Sequence, residues 1–123
     1  MSKSILVVDD YPMVRKTVCS LLAWHSIEVC GEAENGRQAI EKVKQLKPDL
    51  VLLDINMPVM NGVQAAYEIR RIAPSTKIVF FTIHDSPEAI SAAHVIGADG
   101  FVSKAAAGTQ LIPEVKRLPD AKS

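Results

Sequence analysis

The chain has 123 residues, 48% of them hydrophobic, and its 14 Lys+Arg balance 14 Asp+Glu. That length and apolar content give one domain with a core of its own and exclude a disordered chain. The zero net charge gives the domain no broad grip on nucleic acid or on an anionic membrane.

Met1-Ser2-Lys3-Ser4 leads into only four apolar residues, too short for a signal peptide or a membrane span, so the chain reads as cytoplasmic. Those four, Ile5 to Val8, form a short strand that ends in Asp9 and Asp10. Pro12 opens a helix with Val14, Val18, Leu21 and Leu22 on its buried stripe. Ile27, Val29 and Gly31 alternate with Glu28, Cys30 and Glu32, which predicts a half-exposed strand at a sheet edge. Cys19 and Cys30 have no CxxC partner and no zinc-ligand spacing, and read as buried thiols in a reducing compartment. Asn35-Gly36 is a turn or cap. Ala39, Ile40, Val43 and Leu46 make a second amphipathic helix, which Pro48 ends.

Leu50 to Leu53 is an apolar run of the kind buried on both faces of a parallel sheet, and it stops abruptly at Asp54. Pro58 and Asn61-Gly62 supply turn chemistry. Val63, Ala66, Tyr67 and Ile69 mark a third helix, ended near Ala73-Pro74. Ile78 to Phe81 is another apolar strand and finishes in Thr82. Ser86 is an N-cap candidate with Pro87 at the first helical position. Ala89, Ile90, Ala93 and Ile96 line that helix, and Gly97 ends it. Phe101-Val102-Ser103 is a last short strand, closing in Lys104. The final helix holds Leu111, Ile112, Val115 and Leu118, with Pro113 among them; either it starts later than Thr109 or it is kinked. Residues 1–118 form the domain, and 119–123 read as a polar linker or tail. The alternation of strand and helix, five times over, predicts an α/β fold with a parallel five-stranded sheet between helices.

The strand ends then carry Asp9, Asp10, Asp54, Thr82 and Lys104 on one edge of the sheet, where open α/β folds bind ligands. Singly, each is an ordinary turn former, strand residue or solvated lysine. Together they need a common explanation. Two carboxylates about 4 Å apart repel by about 4 kcal/mol near a protein surface. A divalent cation with hard oxygen ligands removes that conflict, which favours Mg²⁺ over zinc. Acid, metal, hydroxyl and ammonium are the parts of phosphoryl transfer, and a central carboxylate can be its nucleophile. His25 and His94 read as helix-end or surface residues without a metal role.

Asp9-Asp10 after the first strand, the run from Asp54 to Gly62, Thr82 after the fourth strand and Phe101 to Lys104 at the fifth resemble the receiver domain of two-component response regulators (CheY-like). The resemblance covers nearly the whole chain. It implies a flavodoxin-like (βα)5 three-layer sandwich of strand order 2-1-3-4-5. It implies that Asp54 takes a phosphoryl group from a histidine kinase or phosphotransfer protein. Mg²⁺ would be held directly by Asp10 and Asp54, by the main-chain carbonyl of Asn56, and by Asp9 through water. Lys104 would pair with the phosphoryl group, Thr82 would turn inward to it, and Phe101 would follow from an exposed to a buried rotamer. The fourth helix, fifth strand and fifth helix would carry the output, with a homodimer on phosphorylation as one implied assembly. Such a domain is a signalling switch rather than an enzyme.

Thr82 to Asp85 and Gly97 to Gly100 are most similar to the branch with a C-terminal LuxR-type helix-turn-helix (NarL/FixJ-like). The chain is then the receiver of a transcription regulator, with DNA contacted only through a domain outside it, or a stand-alone receiver. Ala105 stands where much of the family has proline, which leaves the isomer of the Lys104–Ala105 peptide open, and Pro113 is unusual in the last helix. Asn56 and His84, two residues beyond Asp54 and Thr82, are expected to tune acyl-phosphate hydrolysis through water access. Two rivals differ in class. A haloacid-dehalogenase-type phosphohydrolase would have its nucleophile early and an Asp two residues on, where this chain has Asn56. A receiver-like interaction module would work without phosphorylation. A dinucleotide-binding fold is disfavoured by the lack of a glycine-rich turn after the first strand.

Overall fold

The four-residue apolar runs become strands because helices cover both of their faces. In the computed structural model, which describes residues 3–83 and 86–119, the strands are β1 (Ser4–Val8), β2 (Glu28–Ala33), β3 (Leu50–Leu53), β4 (Lys77–Thr82) and β5 (Gly100–Ser103). They form one parallel sheet of order β2-β1-β3-β4-β5. The helices are α1 (Pro12–Trp24), α2 (Gly36–Leu46), α3 (Gly62–Ile72), α4 (Pro87–Ile96) and α5 (Ala107–Arg117). This is the flavodoxin-like arrangement that the alternation predicts.

Side chains of a strand alternate between faces, so each run feeds two cores. Leu6, Val8, Val51, Leu53, Ile78 and Phe80 pack against α2, α3 and α4. Ile5, Val7, Leu50, Leu52, Val79 and Phe81 pack against α1 and α5. Helix ends follow their sequence signals. Asn35 and Ser86 accept from backbone N–H groups three residues on, Pro87 sits in the first turn, and Gly97 closes α4 at φ 77°. Asn61 and Gln64 make a reciprocal capping box at the start of α3. Among the described residues, no helix is long and apolar enough to cross a membrane.

Four local expectations need correction. In β2 the alternation breaks: Ile5 pairs with Val29 but Leu6 pairs with Gly31, so Cys30 is an extra, bulged residue. Val29 therefore packs on the α1 side, whereas Cys30 packs on the α2 side. This puts Cys19 and Cys30 on opposite faces of the sheet, where they cannot pair; burial pushes both thiols upward, so they stay protonated at neutral pH. In α3 the buried residues are Ala65, Ala66 and Ile69, while Tyr67 is 56% exposed. On α4 only Ala93 is fully buried, and Ile90 is 38% exposed. Finally, α5 begins before Thr109, not after it. Ser103 accepts from the Ala105 N–H, a 3₁₀ turn covers Lys104–Ala106, and the helix runs on through Pro113. The three alanines at 105–107 are strong helix formers, and the solvent-facing Pro113 removes a single backbone donor. The peptide after Lys104 is trans, as the described chain holds no cis bonds.

The loop after Asp54 carries visible strain. Val59 has φ 71°, and the Met60 N–H donates to the Pro58 carbonyl at 2.7 Å. That is a γ-turn of the rarer, strained hand, centred on a β-branched residue that disfavours positive φ. The Gly36 N–H holds the loop by donating to the Met60 carbonyl at 3.1 Å. Val59→Gly is expected to raise stability by about 1 kcal/mol, read as an upward shift of the thermal midpoint. A fall would show that Val59 packing, not strain, dominates there.

Candidate functional site

The site forms where β1, β3, β4 and β5 end. Asp9 and Asp54 are the residues directly after Val8 and Leu53, so parallel pairing of β1 with β3 brings their carboxylates together. Both are buried, at 1% and 4% exposure, and Asp10 is more open. One carboxylate oxygen from each of Asp9, Asp10 and Asp54 lies within 4.8 Å of the others. The Lys104 ammonium reaches in from the far strand. It stands 2.6 Å from Asp9 Oδ2 and 3.3 Å from Asp54 Oδ2, and 5.8 Å above the centre of the Phe81 ring.

Asp9 is held through its N–H and Oδ1, and its Oδ2 pairs ionically with Lys104. Its N–H donates to the Ala33 carbonyl at 3.0 Å, and its Oδ1 accepts from the Tyr11 N–H at 3.0 Å. Asp54 is different. Lys104 donates to its Oδ2, while its buried Oδ1 has no hydrogen-bond partner among the described residues. Burial pushes the Asp54 carboxyl above the usual carboxylate range; Lys104 pulls it back, and the charge of Asp9 raises it again. Burial alone would lower the Lys104 pKa, but the hydrogen bond to Asp9 and the charges of Asp54 and Asp9 outweigh it and hold it above the ordinary lysine value. Lys104 thus stays charged; among the described residues the buried acid oxygens without a hydrogen-bond partner are Asp9 Oδ2, which Lys104 meets as an ion pair, and Asp54 Oδ1.

Asp54 Oδ1, in a cluster of three hard oxygen donors, fits a small divalent cation. Thr82 is fully buried at the end of β4, close enough to Asp54 to lower its pKa. Phe101 is half-buried and tilted against Phe80, with ring centres 6.5 Å apart. Asn56 borders a cavity of about 370 Å³ together with Asp10, Tyr11, Asp54, Ile83 and Lys104. His84 lies outside the described residues. His25 and His94 are exposed on α1's end and on α4, away from the acids. A wider groove of about 750 Å³, between α2 and α3, holds none of these groups.

The profile of the response regulator receiver domain matches residues 5–116. The chain belongs to the response regulator receiver family. The receiver is 41% identical over 104 residues to the chemotaxis protein CheY of Thermotoga maritima, covering 85% of this chain and 87% of that one. It is 43% identical over 102 residues to the nitrate/nitrite response regulator NarL of Escherichia coli, covering 82% of this chain but only 47% of NarL. Its backbone matches a LuxR-family two-component response regulator from an Aurantimonas species with a TM-score of 0.90 at 27% identity, covering 95% of this chain and 84% of that one.

Sequence reasoning missed Arg15. Its Nη1 donates to the Asp9 carbonyl at 2.6 Å and its Nε pairs with Glu32 Oε1 at 3.1 Å. It also missed Tyr11 and Ile83, 66% exposed each, at the mouth of the cavity. The only signal for Arg15 was its place one turn into α1, opposite the acid-rich β2.

Proposed function

We propose that this receiver is a phosphorylation switch in which Asp54 accepts a phosphoryl group from a histidine kinase or phosphotransfer protein. Mg²⁺ would be held by Asp10 and Asp54, by the Asn56 main-chain carbonyl, and by Asp9 through water. The observation that carries this reading is Asp54 itself: buried, raised in pKa, one oxygen engaged by Lys104 and the other without a hydrogen-bond partner among the described residues. Bound Mg²⁺ supplies positive charge to the acids and to the phosphoryl oxygens.

The chain's own residues do the rest. The free lone pair of Asp54 Oδ1 forms the new oxygen–phosphorus bond. The phosphorus–nitrogen bond of the donor's phosphohistidine breaks, and its electron pair leaves with the imidazole nitrogen, which takes a proton from water. The product is an acyl phosphate on Asp54. Lys104 then faces a phosphoryl oxygen as well as Asp9, and the Thr82 hydroxyl donates to another. Phe101 moves inward behind Thr82. The added charge, about −1.5 to −2, shifts the population of the α4-β5-α5 surface between two arrangements. Because the chain spans about half the length of NarL, control of transcription through a DNA-binding domain outside it belongs to this proposal. So do the roles of the two residues at the water entry. Alanine at both Asn56 and His84 should change the dephosphorylation rate, and an unchanged rate rejects that role.

Intact mass after incubation with acetyl phosphate and Mg²⁺ tests the switch. One phosphate is expected on the wild type, and none on Asp54→Ala or without Mg²⁺. An unmodified wild type would point instead to an interaction module that works without phosphorylation.

A further inference from the structure

Among the described residues, Arg15 is the one cation besides Lys104 that touches the acid-bearing strand ends, and it makes no hydrogen bond or ion pair to a carboxylate of the cluster. Its side chain is 15% exposed, and its guanidinium is shared between two acceptors. Nη1 donates to the main-chain carbonyl of Asp9 at 2.6 Å, and Nε donates to Glu32 on β2 at 3.1 Å. The Asp9 carbonyl and the Asp10 N–H belong to one planar peptide. Fixing that carbonyl fixes the peptide from which the Asp10 side chain projects. The other restraints on this turn run through the Asp9 N–H and the Asp9 carboxylate, which accepts from the Tyr11 N–H beyond Asp10, and none of them holds the Asp9 carbonyl. β2 is the edge strand and is bulged at Cys30, so its Glu32 gives Arg15 an anchor on the far side of β1.

We infer that Arg15 is a positioning residue for the divalent cation: braced by Glu32, it holds the Asp9–Asp10 peptide so that both carboxylates converge with Asp54. This rests on the reading of Asp9, Asp10 and Asp54 as a cation site. It makes a prediction whose sign is opposite to that of simple electrostatics. Arg15 is a positive charge beside a cation site, so its removal, and the release of Glu32, would tighten Mg²⁺ binding if charge alone mattered. A positioning role predicts weaker binding. Partners that orient metal ligands typically change affinity 10- to 100-fold when removed.

The test is calorimetric titration of the protein with MgCl₂, below the melting transition of every variant. Arg15→Met is expected to weaken Mg²⁺ binding by about tenfold. Arg15→Lys keeps the charge but cannot reach both acceptors with one planar fork, and should also bind more weakly than the wild type. Glu32→Gln keeps Arg15 but loosens its brace, and should give a smaller loss. Should Arg15→Met fail to fold, the other two variants carry the test. Binding by these variants that is equal to or tighter than the wild type overturns the inference while leaving the cation site intact. A wild type that binds no Mg²⁺ overturns the site itself, and the role of Arg15 with it.

Discussion

Gly62→Ala is expected to destabilise the receiver by more than about 4 kcal/mol, the range reached only by a few named mechanisms. A Cβ at Gly62 would stand 1.9 Å from the carbonyl oxygen of Asp54, 2.8 Å from its carbonyl carbon and 2.9 Å from the Cα of Ile55. All three are backbone atoms of the segment that carries Asp54, so none can turn aside as a side chain would. The close approach is itself functional geometry. The Gly62 N–H donates to the Ile55 carbonyl at 2.8 Å, and Asn61 caps α3 just before it. The loop thereby returns against the end of β3. Domains of this size have about 5–15 kcal/mol in total, so the variant should melt broadly or near ambient temperature. Gly108→Ala is the control: it lies in α5 with nothing within 4 Å of its Cβ position, and alanine there should be neutral or mildly stabilising. A Gly62→Ala protein within 1 kcal/mol of the wild type by chemical denaturation would contradict the packing described for this loop.

Asp54→Asn should make the metal-free receiver more stable and less responsive to Mg²⁺. Burial raises the folded pKa of Asp54 above the ordinary carboxylate value. Its contribution to stability is therefore present below the unfolded value and is lost as pH rises through the folded one. At neutral pH the ionised carboxylate is a net cost to the fold, even with Lys104 beside it, and the amide removes that cost. The wild type, in turn, should gain stability from the cation by mass action, about 2.7 kcal/mol at a concentration 100 times Kd. Thermal melts with and without Mg²⁺ check both halves. A variant that melts lower than the wild type without metal, or that gains as much from Mg²⁺, would contradict the assignment of strain and metal affinity to the same carboxylate.

How far the sequence carried the reading depended on how local each feature is. Asp54 follows directly on Leu50–Leu53, and Asp9 on Ile5–Val8, so the apolar runs and their acidic ends were legible as a unit. The helix caps at Asn35 and Ser86 are equally local, whereas Asn61, a turn residue by sequence, also caps α3. The Arg15–Glu32–Asp9 brace was not legible, because it needs the pairing of β1 with β2 to bring residues 17 apart into contact. The bulge at Cys30 was hidden for a related reason. A strand's alternation is visible in sequence, but its register against a neighbour is not. Tyr67 sits at helical spacing yet faces out, since α3 fills its contact with the small residues Ala65 and Ala66. Pro113 suggested a late start or a kink for α5. The alanines before it and the Ser103 cap outweighed that one missing hydrogen bond.

The most direct measurement is to find which residue carries the phosphoryl group. After incubation with acetyl phosphate and Mg²⁺, borohydride reduces an acyl phosphate on aspartate to homoserine, which peptide mass mapping locates. The account predicts homoserine at position 54 alone, with none after Asp54→Asn and none when Mg²⁺ is chelated. Homoserine at position 9 or 10, or a phosphorylated protein with position 54 unmodified, would contradict it.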